Sequence, residues 1–127
     1  GGVRVLRHHI NDLPAAGLRD LVEESAAFAF GIPTIDTDVP KPMWEVLAQL
    51  STVKPRGNLA ALFGSYGWSG EACKLAEERL KGIGFKLPFP AVRAQFTPRA
   101  ATFEQCREPG RGWGGGRRWP ATRTSRC

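Results

Sequence analysis

Cysteine is scarce in this chain, and the spacing of the few present excludes more than their number does. Cys73, Cys106 and Cys127 lie far apart, with no Cys-x-x-Cys and no Cys/His cluster of the kind that holds zinc or iron–sulfur. An odd, sparse count is no disulfide framework. It fits an intracellular, reducing compartment, either cytoplasm or an organelle such as the chloroplast. No apolar run is long enough to span a bilayer and no signal peptide is visible, so no membrane partner is expected. An initiator methionine is also missing: the chain begins Gly1-Gly2, as expected of a fragment or a processed product. Acidic residues stop at Glu108. Thirteen Lys/Arg balance twelve acids up to that point, and five arginines stand alone beyond it. Five of the six net positive charges therefore belong to the last nineteen residues. They do not mark the folded part as a nucleic-acid binder.

What is present suits one domain with a modest core: 127 residues, 42% of them apolar. The most informative stretch runs from Leu59 to Ala72. An apolar run, Leu59-Ala60-Ala61-Leu62-Phe63, ends in Gly64-Ser65-Tyr66-Gly67-Trp68-Ser69-Gly70, and a helical pattern follows at once. A buried parallel strand feeding a helix through a short loop reads this way. Ligands of open α/β sheets bind where such loops leave the carboxyl ends of strands. Glycine lets backbone approach a ligand, and Tyr66 and Trp68 offer flat faces to one. From composition alone the two aromatics read equally well as loop anchors packed on a neighbouring helix.

The rest of the chain alternates in the same manner. Val3–Ile10 reads as a strand, and Asp12 is placed to cap a helix carrying Leu18, Leu21 and Val22 on one face. Ala26–Ile32 is a continuous apolar run, predicting a strand buried on both faces. A polar loop, Pro33–Pro40, leads to a helix with Met43, Trp44, Val46, Leu47 and Leu50 at helical spacing. Trp44 is expected in the core, and Asp36 and Asp38 as cap or loop carboxylates. Ala72, Leu75, Ala76, Leu80 and Ile83 form the clearest amphipathic helix, closed by Gly82 and Gly84. Phe85-Lys86-Leu87 begins an edge or bent strand interrupted by Pro88 and Pro90. Thr97-Pro98 opens a last helix through Phe103 and Cys106. Residues 109–127 have no periodicity and are expected to be a disordered Arg/Gly/Trp-rich tail. The β-α-β-α order predicts a parallel sheet with helices on both faces.

At Gly64–Ala72 the sequence resembles the flavodoxin-like domain of flavodiiron proteins, the A-type flavoproteins. The resemblance runs from about Val3 to Glu108. It includes Gly31-Ile32-Pro33-Thr34, similar to that family's Gly-Ser-Pro-Thr loop, and Glu77–Lys81 followed by Gly84-Phe85. It implies a three-layer fold around a five-stranded parallel sheet of order 2-1-3-4-5, with FMN at the carboxyl ends of the strands. It also implies electron transfer to a diiron site on a separate metallo-β-lactamase-like domain, where dioxygen or nitric oxide is reduced. By matched loops, Pro33, Thr34, Ile35 and Asp36 would approach the isoalloxazine and ribityl chain. Ser65, Tyr66, Gly67, Trp68, Ser69 and Gly70 would supply a stacking face and backbone N–H groups.

Two departures qualify that implication. Nothing in the chain matches the family's first strand and its Ser/Thr-rich phosphate loop, so residues 1–108 are read as an incomplete, truncated flavodoxin-like domain. FMN binding is then expected to be weak or lost, because the phosphate is the anchoring charge. The strand at Val3–Ile10 would lack a neighbour and Ala26–Ile32 would expose a pairing edge, open to self-association. Second, His8-His9-Ile10-Asn11-Asp12 lacks the diiron ligand spacing, and adjacent histidines on a strand face opposite ways. No metal ligand is nominated, and no catalytic side chain either, since a flavin carries its own chemistry. The alternatives are a non-catalytic interaction module and an incomplete gene product without flavin.

Overall fold

The computed structural model describes residues 4–53, 55 and 57–114. Four helices alternate with three strands: α1 (Ala15–Glu24), β1 (Ala27–Gly31), α2 (Lys41–Leu50), β2 (Leu59–Tyr66), α3 (Glu71–Gly82), β3 (Val92–Gln95) and α4 (Ala100–Gly114). All strand pairs are parallel, in the order β1-β2-β3, so β2 is central. Ala27 to Gly31 pair with Leu59 to Phe63, and Phe63 to Tyr66 pair with Val92 to Gln95. Parallel neighbours need a long crossover, which α2 and α3 provide.

The core lies on one face of the sheet. Ala60 and Leu62 of β2 pack with Val22 of α1, with Met43, Val46, Leu47 and Leu50 of α2, and with Ala72, Ala76 and Leu80 of α3. These are the apolar positions that the helical spacing selects. Phe28 joins from β1, stacked on Phe30 with ring centroids 6.0 Å apart and edge-on to Phe85 at 5.5 Å. On the opposite face Val92 and Ala94 are buried, and α4 lies against β3. The chain is thus an α/β fold, a parallel sheet with helices on both faces.

Several expectations are corrected. Residues 4–9 form no strand, because a strand exists only by pairing and no described strand lies beside them. His8 and His9 therefore do not sit on a ladder. His9 instead accepts a hydrogen bond at Nδ1 from the N–H of Asn11, capping a 3-10 turn at Ile10–Asp12. Asp12 lies in that turn and does not cap α1, whose N-cap is Pro14. Nor is β1 buried on both faces. Ala29 and Gly31 are exposed, since helices cover only the side that carries Phe28 and Phe30. Phe85–Leu87 contributes a single bridge, Lys86 to Leu59, and the strand proper begins after the prolines, at Val92.

The last helix also runs past Glu108, to Gly114. Glu104 accepts hydrogen bonds from Arg107 at 3.0 Å and Arg111 at 2.6 Å, which tie successive turns together across the expected boundary. Those two hydrogen bonds hold the Glu104 carboxyl below the usual carboxylate range. The remainder of the expected tail lies outside the described residues.

Candidate cofactor site at the carboxyl ends of the strands

Two loops meet where β1 and β2 end. The ladder between these strands continues past β1, with the Ile32 N–H on the Phe63 carbonyl at 2.8 Å and the Thr34 N–H on the Ser65 carbonyl at 2.9 Å. The Thr34 hydroxyl accepts from the Ala72 N–H at 3.4 Å, tying the first loop to the start of α3. Beyond Thr34 the chain makes a two-residue hairpin. Ile35 and Asp38 exchange hydrogen bonds at 3.1 and 3.0 Å, and Asp36 and Thr37 adopt φ of 49° and 64°. Positive φ at both central residues is the type I′ geometry. Asp38 caps the loop: its Oδ1 accepts from the Val39 N–H at 2.7 Å and the Trp44 indole N–H at 3.1 Å. Trp44 is half-buried against the core, so it secures this loop from below.

The second loop, residues 66–70, is held on the β3 side. The Phe96 N–H donates to the Tyr66 carbonyl at 2.8 Å, and Gln95 Nε2 donates to the Gly67 carbonyl at 3.2 Å. Tyr66 is half-buried. A Cβ on Gly70 would meet its ring at 3.2 Å and Arg93 at 3.4 Å, so the ring lies over the Gly70 backbone. Trp68 is the opposite case, with 98% of its surface exposed. The two aromatics that composition could not separate thus differ: Tyr66 packs within its own loop and Trp68 offers a free face.

The structure brings both groups of nominated residues together at one end of the sheet. Pro33, Ile35, Asp36 and Ser65 are exposed, while Thr34, Gly67, Ser69 and Gly70 are partly so. The sequence reading missed Phe96, which follows β3 with 72% of its surface exposed. An aromatic directly after the last strand was the available signal, because it ends the strand beside the Tyr66 loop.

The exposed ring of Trp68 and the loop backbone beside it suit this place to binding. Cys73 is buried behind Gly64, and burial pushes its thiol up, with Arg93 offsetting part of the shift and Glu77 adding to it. Such a thiol stays protonated at neutral pH. Glu71 sits in the first turn of α3, and its Oε2 is buried with no hydrogen-bond partner among the described residues. An acid at that helix start opposes an anion there. The α2 start offers little more, because Pro42 removes one of its free N–H groups. Neither of these two helix starts is therefore a ready phosphate cradle, and among the described residues no group of three His, Cys, Asp or Glu is placed to hold a metal. No described helix is long and apolar enough to cross a membrane.

A cavity of about 620 Å³ adjoins the first of these loops at Pro33 and Ile35. It runs along the outer edge of β1, between Ala27–Gly31 and the segment from Leu6 to Leu13. Its lining is mostly apolar and has no convergent charged groups, so it marks an unpaired sheet edge and not a polar ligand site.

Comparison with known proteins bears on both features. The flavodoxin family model matches residues 1–110. A type A flavoprotein of Rhodobacter capsulatus is 49% identical over 92 residues, 72% of this chain and 21% of that protein. Among solved structures, a flavodiiron core from Synechocystis superposes with a TM-score of 0.79 at 32% identity, covering 86% of this chain and 27% of that one. The rubredoxin:oxygen oxidoreductase of Desulfovibrio gigas gives 0.62 at 31% identity, covering 66% and 21%. The chain thus spans about a fifth to a quarter of the length of these relatives.

Proposed function

This chain belongs to the flavodoxin family, and from that premise we propose that it is an FMN-binding electron-transfer domain of a flavodiiron-type oxidoreductase. The observation that carries the reading is Trp68. A fully exposed indole at the end of the central strand, in a loop hydrogen-bonded to both of its neighbours, costs apolar hydration unless a ligand covers it. The residues present fit the ring of a flavin. Trp68 would offer its face, and Thr34, Ile35 and Asp36 would line the adjoining side. When bound, FMN supplies the one- and two-electron chemistry. The chain's own residues bind and orient it, and keep a protonated Cys73 away from it. Reduction of dioxygen or nitric oxide is assigned to a diiron site on another domain, of the metallo-β-lactamase-like kind, so this chain alone would catalyse neither. Its two described cysteines are free, which suits a reducing compartment.

On this reading the two loops supply the ring half of the site, and the helix starts beside them offer no ready phosphate cradle, so FMN affinity is expected to be weak. Titration of FMN with the chain, followed by flavin fluorescence, should give a dissociation constant between about 1 and 100 µM. Sub-micromolar binding would contradict the role given to the phosphate, and no saturation by about 1 mM would contradict flavin binding itself.

The sheet edge supports a second reading, as an interaction module. In a parallel ladder alternate residues face the partner strand, so Ala29 and Gly31 direct their N–H and C=O groups outward, where no described residue pairs with them. Ala27–Gly31 carries no charge and no proline to block strand addition. Concentration-dependent self-association is expected by light scattering. Ala29→Lys, at an exposed position, should return a monomer with an unchanged far-ultraviolet spectrum. A wild-type chain that stays monomeric at about 100 µM would remove this reading.

A further inference from the structure

Phe96 is the one bulky residue in the described chain that holds a left-handed backbone, with φ of 57°. For a side chain of that size the conformation is strained, and it persists only where the surroundings impose it. The surroundings here are the Tyr66 loop. The Phe96 N–H is bound to the Tyr66 carbonyl at 2.8 Å, and the neighbouring Gln95 side chain is bound to the Gly67 carbonyl. The ring edge of Phe96 stands 3.4 Å from where a Gly67 Cβ would be, so the ring lies against that glycine. This contact contributes little to the core, since most of the Phe96 surface is open to solvent. Glycine would satisfy the backbone at this position with no strain.

We propose that Phe96 is a positioning residue, whose ring braces the Tyr66–Trp68 loop from the β3 side and so sets the direction in which Trp68 presents its indole. The opposite side of the same loop is fixed by the Thr34 N–H on the Ser65 carbonyl. Without Phe96 the loop is pinned from one side and through hydrogen bonds alone on the other. The consequence for ligand binding rests on the flavin reading above, whereas the consequence for loop order does not.

The test compares the 127-residue chain with Phe96→Gly, Phe96→Asn and Phe96→Tyr. Glycine and asparagine both accept the left-handed backbone, so neither result depends on one variant folding. Relief of strain leaves their melting temperature unchanged or raises it by a few degrees, about 4 °C at most. In the ligand-free chain, backbone order parameters at Gly67 and Trp68 fall from about 0.85 to below about 0.6. The FMN dissociation constant rises about ten-fold, and Phe96→Tyr restores both the order parameters and the affinity. A fold kept or strengthened while the loop loosens is a pattern that a merely structural residue cannot produce. Unchanged order parameters in both ring-free variants, or no recovery with tyrosine, would overturn the proposal. A wild-type chain with no flavin affinity would sink the flavin reading instead, and the order parameters would still decide the brace.

Discussion

Gly64→Ala is expected to remove the folded state, or to lower the melting temperature by more than about 12 °C. A Cβ at this position would lie 2.0 Å from the Ile32 carbonyl oxygen, and 3.0 Å from both the Ile32 carbonyl carbon and Cys73 Sγ. Two of these three atoms are backbone, so no rotamer change relieves the contact. Ile32 cannot retreat either. It is fully buried, and its own N–H and that of Thr34 are bonded to the strand that carries Gly64. Parting β1 from β2 at this point breaks the ladder and opens the core beside α3. Overpacking that must move backbone costs about 3 kcal/mol or more, against a total stability of about 5–15 kcal/mol. At about 4–8 °C per kcal/mol in a domain this small, the loss is easily read by thermal denaturation. Gly82→Ala is the control: nothing lies within 4 Å of its would-be Cβ, and its melting temperature should not fall. A Gly64→Ala chain melting within about 3 °C of wild type would refute the packing described for this loop.

The second large effect falls on binding alone. Trp68→Ala should weaken flavin affinity by about 10- to 100-fold while leaving the melting temperature within about 2 °C of wild type. With 98% of its surface in solvent, the Trp68 side chain gives almost no packing to lose. A stacked aromatic contact is worth about 1–3 kcal/mol to a planar ring, which sets the fold-change. Tyr66→Ala behaves differently, because its half-buried ring covers Gly70, and both stability and affinity should drop together. If Trp68→Ala bound flavin as the wild type does, the exposed indole would need another explanation.

Much of this fold is legible in the residues because its determinants are local. The apolar runs of β1 and β2 and the spacing of Leu47, Leu50, Ala76 and Leu80 each name an element and its buried side. What escaped is what depends on a partner. The side chains of residues 4–9 suit a strand, yet that segment finds no described strand to pair with. Burial of Ala29 and Gly31 required a covering element on the open face. The extension of α4 rests on Glu104 reaching Arg111 across seven residues, which no cap rule registers.

The site divides in the same way. Its loops could be read from glycine, aromatic and Pro-Thr residues at strand ends. The distinct roles of Tyr66 and Trp68 could not, since residue type says nothing of which ring packs down. Phe96 and Thr37 escaped for a further reason. Positive φ at such side chains contradicts their own preference, and the hydrogen bonds that impose it come from residues distant in sequence or from the turn itself.

The central claim is that this chain carries the ring-binding half of a flavin site, with no ready phosphate cradle at the helix starts beside it. Parallel titrations with FMN and with riboflavin, which differ only in the phosphate, test it most directly. The account predicts dissociation constants within about three-fold of each other, both in the micromolar range. FMN binding more than about a hundred-fold tighter than riboflavin would contradict it.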